Sequence, residues 1–192
     1  GRGAPVPERA AYLRKQGKPP FGIALRIVDG DGNALPHDGV AFGELQARGP
    51  WVVAGYFDSD ERKLTDDGWF PTGDVATLDE ECVVQITDRT KDLIKTGGEW
   101  VSSIDVENAA MGHPDVAMAA VIGIPDEKWG ERPLLIAVPA PDTSPDKGAI
   151  LAFLSGSLAK WQLPDDVIFV DALPMGGTGK VQKTRLREEY AG

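Results

Sequence analysis

The sequence holds 192 residues, with 20 Lys and Arg against 30 Asp and Glu, a formal net charge of −10 and 42% hydrophobic residues. That apolar share is ordinary for a folded domain, and a strongly acidic balance argues against an electrostatic nucleic-acid binder. One Cys (Cys82) and two His leave no internal disulfide and no zinc cage; no apolar run nears the roughly 18 residues of a membrane span, and the compartment expected is the reducing cytoplasm.

The first twenty residues carry four prolines and no sustained period, so they are expected as loop, with a short helix around Glu8–Lys15. Short alternating runs follow. Ile23–Val28 reads as a strand before the turn Asp29-Gly30-Asp31-Gly32-Asn33, and Gly43–Arg48 as a strand broken by Gly49-Pro50. Trp51–Tyr56 is extended or turned, and residues 64–68 form a turn before Trp69-Phe70. Val75–Leu78 and Cys82–Thr87 read as a hairpin joined by Asp79-Glu80-Glu81. This region is nearly all β, which predicts a small distorted barrel or sandwich piece.

After Arg89 the pattern changes. Ser103 is expected to cap a helix that Gly112-His113-Pro114 closes, and Val116–Ile124 and Leu134–Val138 are apolar strands. Ser144-Pro145 opens a helix in which Ile150, Leu151, Leu154 and Leu158 keep helical spacing. Val167–Val170 is a third strand, and Val181–Tyr190 a last helix. The expectation is an α+β protein: a β-rich domain over 1–88, then a small α+β domain with a three-stranded sheet over 89–192. Charge is uneven in the same sense. Residues 61–120 carry five cations against thirteen anions, whereas Lys180, Lys183, Arg185 and Arg187 cluster without an acid. A local basic patch on an acidic protein points to a small anionic ligand.

Three segments carry possible chemistry. In Pro174-Met175-Gly176-Gly177-Thr178-Gly179-Lys180, three glycines let backbone approach an anion, but Pro174 and Val181 stand where a Walker A loop needs Gly and Ser or Thr. The other reading of this segment is a solvated loop with an ordinary surface lysine. Gly68-Trp69-Phe70-Pro71-Thr72-Gly73-Asp74 places one carboxylate at a strand start, where it can accept from two vicinal ribose hydroxyls, or be a plain hairpin Asp. Asp88 to Glu99, DRTKDLIKTGGE, sets Arg89, Lys91 and Lys95 before the glycine pair Gly97-Gly98, which is either a ligand-facing segment or a charged linker with a tight turn.

The order and spacing of these pieces resemble the carboxyl-terminal part of the adenylate-forming enzymes, a family of acyl-CoA synthetases, peptide-synthetase adenylation domains and beetle luciferases. The likeness runs from Gly43-Glu44-Leu45, Gly49-Pro50 and Gly55-Tyr56 through GWFPTGD and DRTKDLIKTGGEWVSSIDVE to PMGGTGKVQKTRLRE, covering about residues 20–190. Lys128-Trp129-Gly130-Glu131-Arg132-Pro133 is most like the medium- and long-chain fatty-acid–CoA ligases.

The resemblance implies two half-reactions: a carboxylic acid and ATP, with Mg²⁺, give acyl-AMP and pyrophosphate, and the thiol of CoA then displaces AMP. It implies nucleotide binding by Asp74 and Arg89, and catalysis by Lys180 in adenylation and Lys95 in the thiol step. It implies a hinge at Lys91 and a passage for the pantetheine arm at Gly97 and Gly98. No metal ligand is expected in this chain. The family's phosphate loop and Tyr-Gly-x-Thr-Glu motif do not occur in these residues, so the chain is expected to be a fragment lacking an N-terminal domain, inactive alone and without a cofactor of its own. Where relatives often have Gly and Tyr, Glu81 and Cys82 stand. A peptide-synthetase piece serving a carrier protein, and a non-catalytic binding module, are the alternatives. Pro174 with Gly179-Lys180 also matches a pattern that implies a protein acetyltransferase as a partner at Lys180.

Overall fold

The computed structural model describes residues 15–52, 64–177 and 179–191. The expected Glu8–Lys15 helix, all but its last residue, and residues 53–56 with the Gly55-Tyr56 piece lie outside them. The chain divides into two compact units, Gly1–Lys91 and Asp92–Gly192.

In the first unit, four strands form an antiparallel meander: β1 (Ala24–Val28), β2 (Phe42–Arg48), β3 (Phe70–Leu78) and β4 (Val84–Arg89), ordered β1-β2-β3-β4. The sheet is open among the described residues, not a closed barrel. Ile27, Leu45, Ala76, Leu78 and Val84 supply its core, with Leu25, Leu35 and Ala41 packed against them. Trp69 is buried between two guanidinium groups, with Arg26 4.5 Å and Arg48 4.4 Å from the ring centroid. The outer edge of β4 is covered by residues 15–17. Gln16 N–H donates to the Val84 carbonyl at 2.9 Å, and its side-chain oxygen accepts from Ile86 N–H at 2.7 Å. At the β3–β4 turn, Cys82 takes the left-handed conformation at φ 58°. The Asp79 carboxylate pins it by accepting from the Glu81 and Val83 amides.

The second unit holds β5 (Ile94–Thr96), β6 (Glu99–Val101), α1 (Ser103–Met111), β7 (Val116–Asp126), β8 (Gly130–Pro139), α2 (Lys147–Ser155), β9 (Asp166–Phe169) and α3 (Lys183–Tyr190). Its sheet has five strands, not the expected three: order β6-β5-β8-β7, with β9 parallel to β8. The two extra strands are three-residue arms, too short to show alternation in sequence. β7 is an unbroken apolar run because both of its faces are covered. Val121, Leu135, Ala137 and Val167 pack under α1 and α2 with Val106, Ala110, Ile150 and Leu154. Ala120, Ile122, Leu134 and Ile136 pack on the opposite face with Leu186 of α3. Ile150 and Leu154 are fully buried, each stabilising the unit by about 1.5–3 kcal/mol.

All three expected helix starts of this unit shift, the last from Val181 to Lys183. Ser102, not Ser103, caps α1, its hydroxyl accepting from Asp105 N–H at 3.2 Å, while Ser103 is the first helical residue and buried. Asp146 caps α2 through Ala149 N–H at 2.9 Å, so Pro145 precedes the cap instead of sitting in the first turn. A carboxylate accepts that bond where proline has no side-chain acceptor.

Candidate functional site

Asp74 lies inside β3, the fifth residue of a strand that begins at Phe70, instead of at a strand start. A bulge makes this possible. Glu44 of β2 pairs with Val75 and Gln46 with Pro71, so Thr72, Gly73 and Asp74 lie opposite Leu45. Gly73 turns at φ 78°, a conformation that favours glycine. Thr72 Oγ1 donates to the Leu45 carbonyl at 2.8 Å and accepts from Asp74 N–H at 3.2 Å. On the other side Asp74 pairs in register with Arg89, and Arg89 Nε lies 3.1 Å from Asp74 Oδ1. Their side chains are 20% and 58% exposed respectively, so the arginine holds the carboxylate and still faces solvent. Asp88 is buried and accepts from Arg89 N–H at 2.7 Å, and Thr90 N–H donates to the Gly73 carbonyl at 3.0 Å.

Lys91 is exposed and is the last residue of the first unit. Within the second unit, Asp92 accepts from Arg187 Nη2 of α3 at 2.8 Å.

Gly97 and Gly98 form the two-residue turn of the β5–β6 hairpin, with φ 58° and 88°. Two consecutive positive φ values are what a tight hairpin of this twist requires. A Cβ on Gly97 would lie 2.5 Å from Cε3 of Trp129, whereas one on Gly98 would meet nothing within 4 Å. Lys95, on β5, is exposed, with its ammonium 5.9 Å from the Trp100 ring centroid.

Lys180 is exposed on a second small hairpin. Met175 bridges Val181, Gly176 N–H donates to the Lys180 carbonyl at 2.7 Å, and Gln182 N–H donates to the Pro174 carbonyl at 2.7 Å. Thr178, at its tip, lies outside the described residues. The helix that follows is fastened to the unit: Lys183 Nζ donates to Ser103 Oγ and to Glu107 Oε1, each at 2.6 Å, and Glu107 also accepts from Val121 N–H at 2.8 Å. The Lys183 side chain is 13% exposed, so this second lysine is structural where Lys180 is presented.

The sequence-derived residues thus fall into three clusters: Asp74 with Arg89, Lys95 with Gly97 and Gly98, and Lys180 on its own turn. The structure corrects the basic-patch reading: Lys183 and Arg187, expected from the sequence to face a small anionic ligand, are paired with Glu107 and Asp92 and fasten α3 instead. The i, i+4 spacing of Lys183 and Arg187 on one helical face was the available signal. A cleft of about 480 Å³, lined among others by Thr96, Gly97, Trp129, Arg132, Trp161 and Asp165, opens beside the first hairpin. Arg132 is held charged chiefly by its hydrogen bonds to Asp165. Among the described residues, no helix is long and apolar enough to cross a membrane, and no three His, Cys, Asp or Glu gather as a metal cage.

Residues 105–180 match the AMP-binding enzyme C-terminal domain. The chain is 54% identical over 189 residues to a 3-methylmercaptopropionyl-CoA ligase of Ruegeria lacuscaerulensis, covering 98% of this chain and 35% of that protein. It is 50% identical to a medium-chain-fatty-acid–CoA ligase of Ectopseudomonas oleovorans, covering 96% of this chain and 34% of that protein. Among solved structures, ATP-bound MatB from Rhodopseudomonas palustris superimposes with a TM-score of 0.81 at 37% identity, over 93% of this chain and 36% of that one. The chain therefore spans about a third of the length of the relatives it matches.

Proposed function

From a chain that carries the AMP-binding enzyme C-terminal domain and has acyl-CoA ligases as relatives, we propose that it is the carboxyl-terminal portion of an ATP-dependent ligase joining a fatty or similar carboxylic acid to CoA. The observation that carries this reading is the presentation of Lys180: exposed, at the end of a closed glycine turn, just ahead of a helix anchored by Lys183 and Arg187.

In the first half-reaction a carboxylate oxygen attacks the α-phosphorus of ATP and pyrophosphate leaves. Two anions must meet, and negative charge grows on the phosphate oxygens. The Lys180 ammonium reduces both costs, which in a water-poor site is worth about 10²–10³-fold in rate. Asp74 accepts from the ribose hydroxyls, with Arg89 orienting its carboxylate. Mg²⁺ enters with the ATP phosphates. In the second half-reaction the CoA thiolate attacks the acyl carbonyl and AMP leaves. Lys95 and the turn at Gly97-Gly98 serve that step, and Lys91, the last residue of the first unit, is the hinge between steps.

The test is direct. The coding sequence ahead of Gly1 is expected to encode a phosphate loop and a Tyr-Gly-x-Thr-Glu motif. The purified 192-residue chain is expected to give no pyrophosphate exchange. Robust exchange by this chain alone overturns the fragment reading, and an upstream region without those motifs overturns the ligase reading. Loading of a carrier protein in place of CoA moves it to the peptide-synthetase branch.

The exposure of Lys180, against the ion-paired and partly buried Lys183, also supports regulation by acetylation in the cytoplasm, since acetylation removes the charge that adenylation needs. Acetylation mapped only to other lysines, or full activity with Lys180 acetylated, overturns it.

A further inference from the structure

We propose that Trp129–Arg132 is a positioning element for the Gly97–Gly98 turn, setting its height and register for the thiol step. The functional half of this inference rests on the reading of that turn as the passage for the thiol arm.

A hairpin with three-residue arms is not stable by itself, and two adjacent glycines have the greatest conformational freedom to lose. Something outside the hairpin must hold it. Each of the three residues leading into the turn is held from the start of β8. Lys95 N–H donates to Glu131 Oε2 at 2.9 Å. The Thr96 hydroxyl accepts from Arg132 Nη1 at 3.2 Å. Gly97 N–H donates to the Trp129 carbonyl at 2.8 Å, and the Trp129 ring lies on the Gly97 Cα where a Cβ would stand. Thr96 and Gly130 are register partners, the only pairing between β5 and β8, so these side-chain and turn contacts supplement a single ladder step.

The holding residues are themselves fixed. The Asp126 carboxylate accepts from the Lys128 and Trp129 amides at 2.9 and 2.7 Å, and the Lys128 ammonium sits 4.5 Å from the Trp129 ring centroid. Arg132 spends its remaining donors on the Asp165 carboxylate and on the carbonyls of Trp161 and Leu163. The guanidinium thus ties the strand bearing Thr96 to the 161–165 segment. Trp129 remains 45% exposed and lines the cleft that Gly97 also lines. A shift of about 1 Å in a positioning group can cost about 10²-fold in rate, so this scaffold matters to the step and not only to the fold.

The variants are Trp129→Ala, Trp129→Phe and Glu131→Ala. The first readout is amide hydrogen exchange at Gly97 in the 192-residue chain, which is independent of any activity. Trp129→Ala and Glu131→Ala are expected to speed it by about 3- to 10-fold, the loss of one modest local interaction, with Trp129→Phe near the parent sequence. The second readout is in the ligase carrying this segment. Thioester formation from supplied acyl-AMP is expected to fall at least about 10-fold in Trp129→Ala, with pyrophosphate exchange within about twofold and recovery in Trp129→Phe. Unchanged Gly97 exchange in both alanine variants overturns the positioning role. Faster exchange with an unaltered thiol step instead overturns the reading of the turn as the passage. Equal loss of both half-reactions marks general destabilisation and also overturns the proposal. If Trp129→Ala does not fold, Glu131→Ala decides by the same criteria.

Discussion

Asp74 and Arg89 are register partners on adjacent strands, and their side chains form an ion pair of 3.1 Å whose carboxylate is the more buried member. The sequence separates them by fourteen intervening residues, and the β3–β4 hairpin closes that distance. The pair fixes the orientation of the carboxylate and makes the two residues one structural unit.

Asp74→Asn keeps the shape of the side chain and removes its charge. In the ligase, the KM for ATP is expected to rise by about 10-fold, the scale of one charged hydrogen bond, with kcat changed much less. Pyrophosphate exchange at varied ATP measures this, and an unchanged KM removes Asp74 from the ribose site.

Lys180→Ala is expected to cut acyl-AMP formation by about 10²-fold or more. It should leave thioester formation from supplied acyl-AMP intact. Chain stability is expected to stay level, because Lys183 and Arg187, not Lys180, fasten α3. Equal loss in both half-reactions contradicts the division of labour.

Lys91→Pro fixes φ near −65° and removes an N–H at the junction of the two units. Adenylation is expected to persist while CoA-thioester formation is lost. Single-turnover assays of each half-reaction separate the two, and an undiminished thiol step sinks the hinge assignment.

Acid stability tests the carboxylates. Asp79 sits below the usual carboxylate range, first because Lys15 donates to it and then because Val83 N–H does. Asp166 is lowered likewise, by Lys147 and then by Val167 N–H. A carboxyl group lowered in the folded state stabilises it above the unfolded pKa of about 3.9, and this stabilisation is lost as pH falls through the folded value. Urea midpoints should therefore drop as pH falls below about 4, and Asp79→Asn with Asp166→Asn should flatten that limb. An unaltered slope in the double variant contradicts the shifts.

Much was legible in the chain before any coordinates. Strand cores such as Ile27 and Val121, the apolar face of α2 at Ile150 and Leu154, and the glycine turns at 97–98 and 176–179 obey rules that act over a few residues. Alternation, helical spacing and positive φ are local, so sequence reports them. The motif order also placed Asp74, Arg89, Lys95 and Lys180 as the residues to examine.

What the chain could not report were relations whose partners lie far apart along it. The bulge that carries Asp74 inside β3 depends on Leu45 across the sheet. Three-residue β5 and β6 join the larger sheet through the pairing of Thr96 with Gly130 of β8, 34 residues on. The anchors of the Lys180 helix are Glu107 and Asp92, the latter 95 residues from Arg187. Sequence determined which side chains carry charge, apolar surface and backbone freedom. Tertiary structure alone decided which charges become ion pairs, because pairing depends on distances of a few ångströms that only the assembled sheets and their packed helices establish.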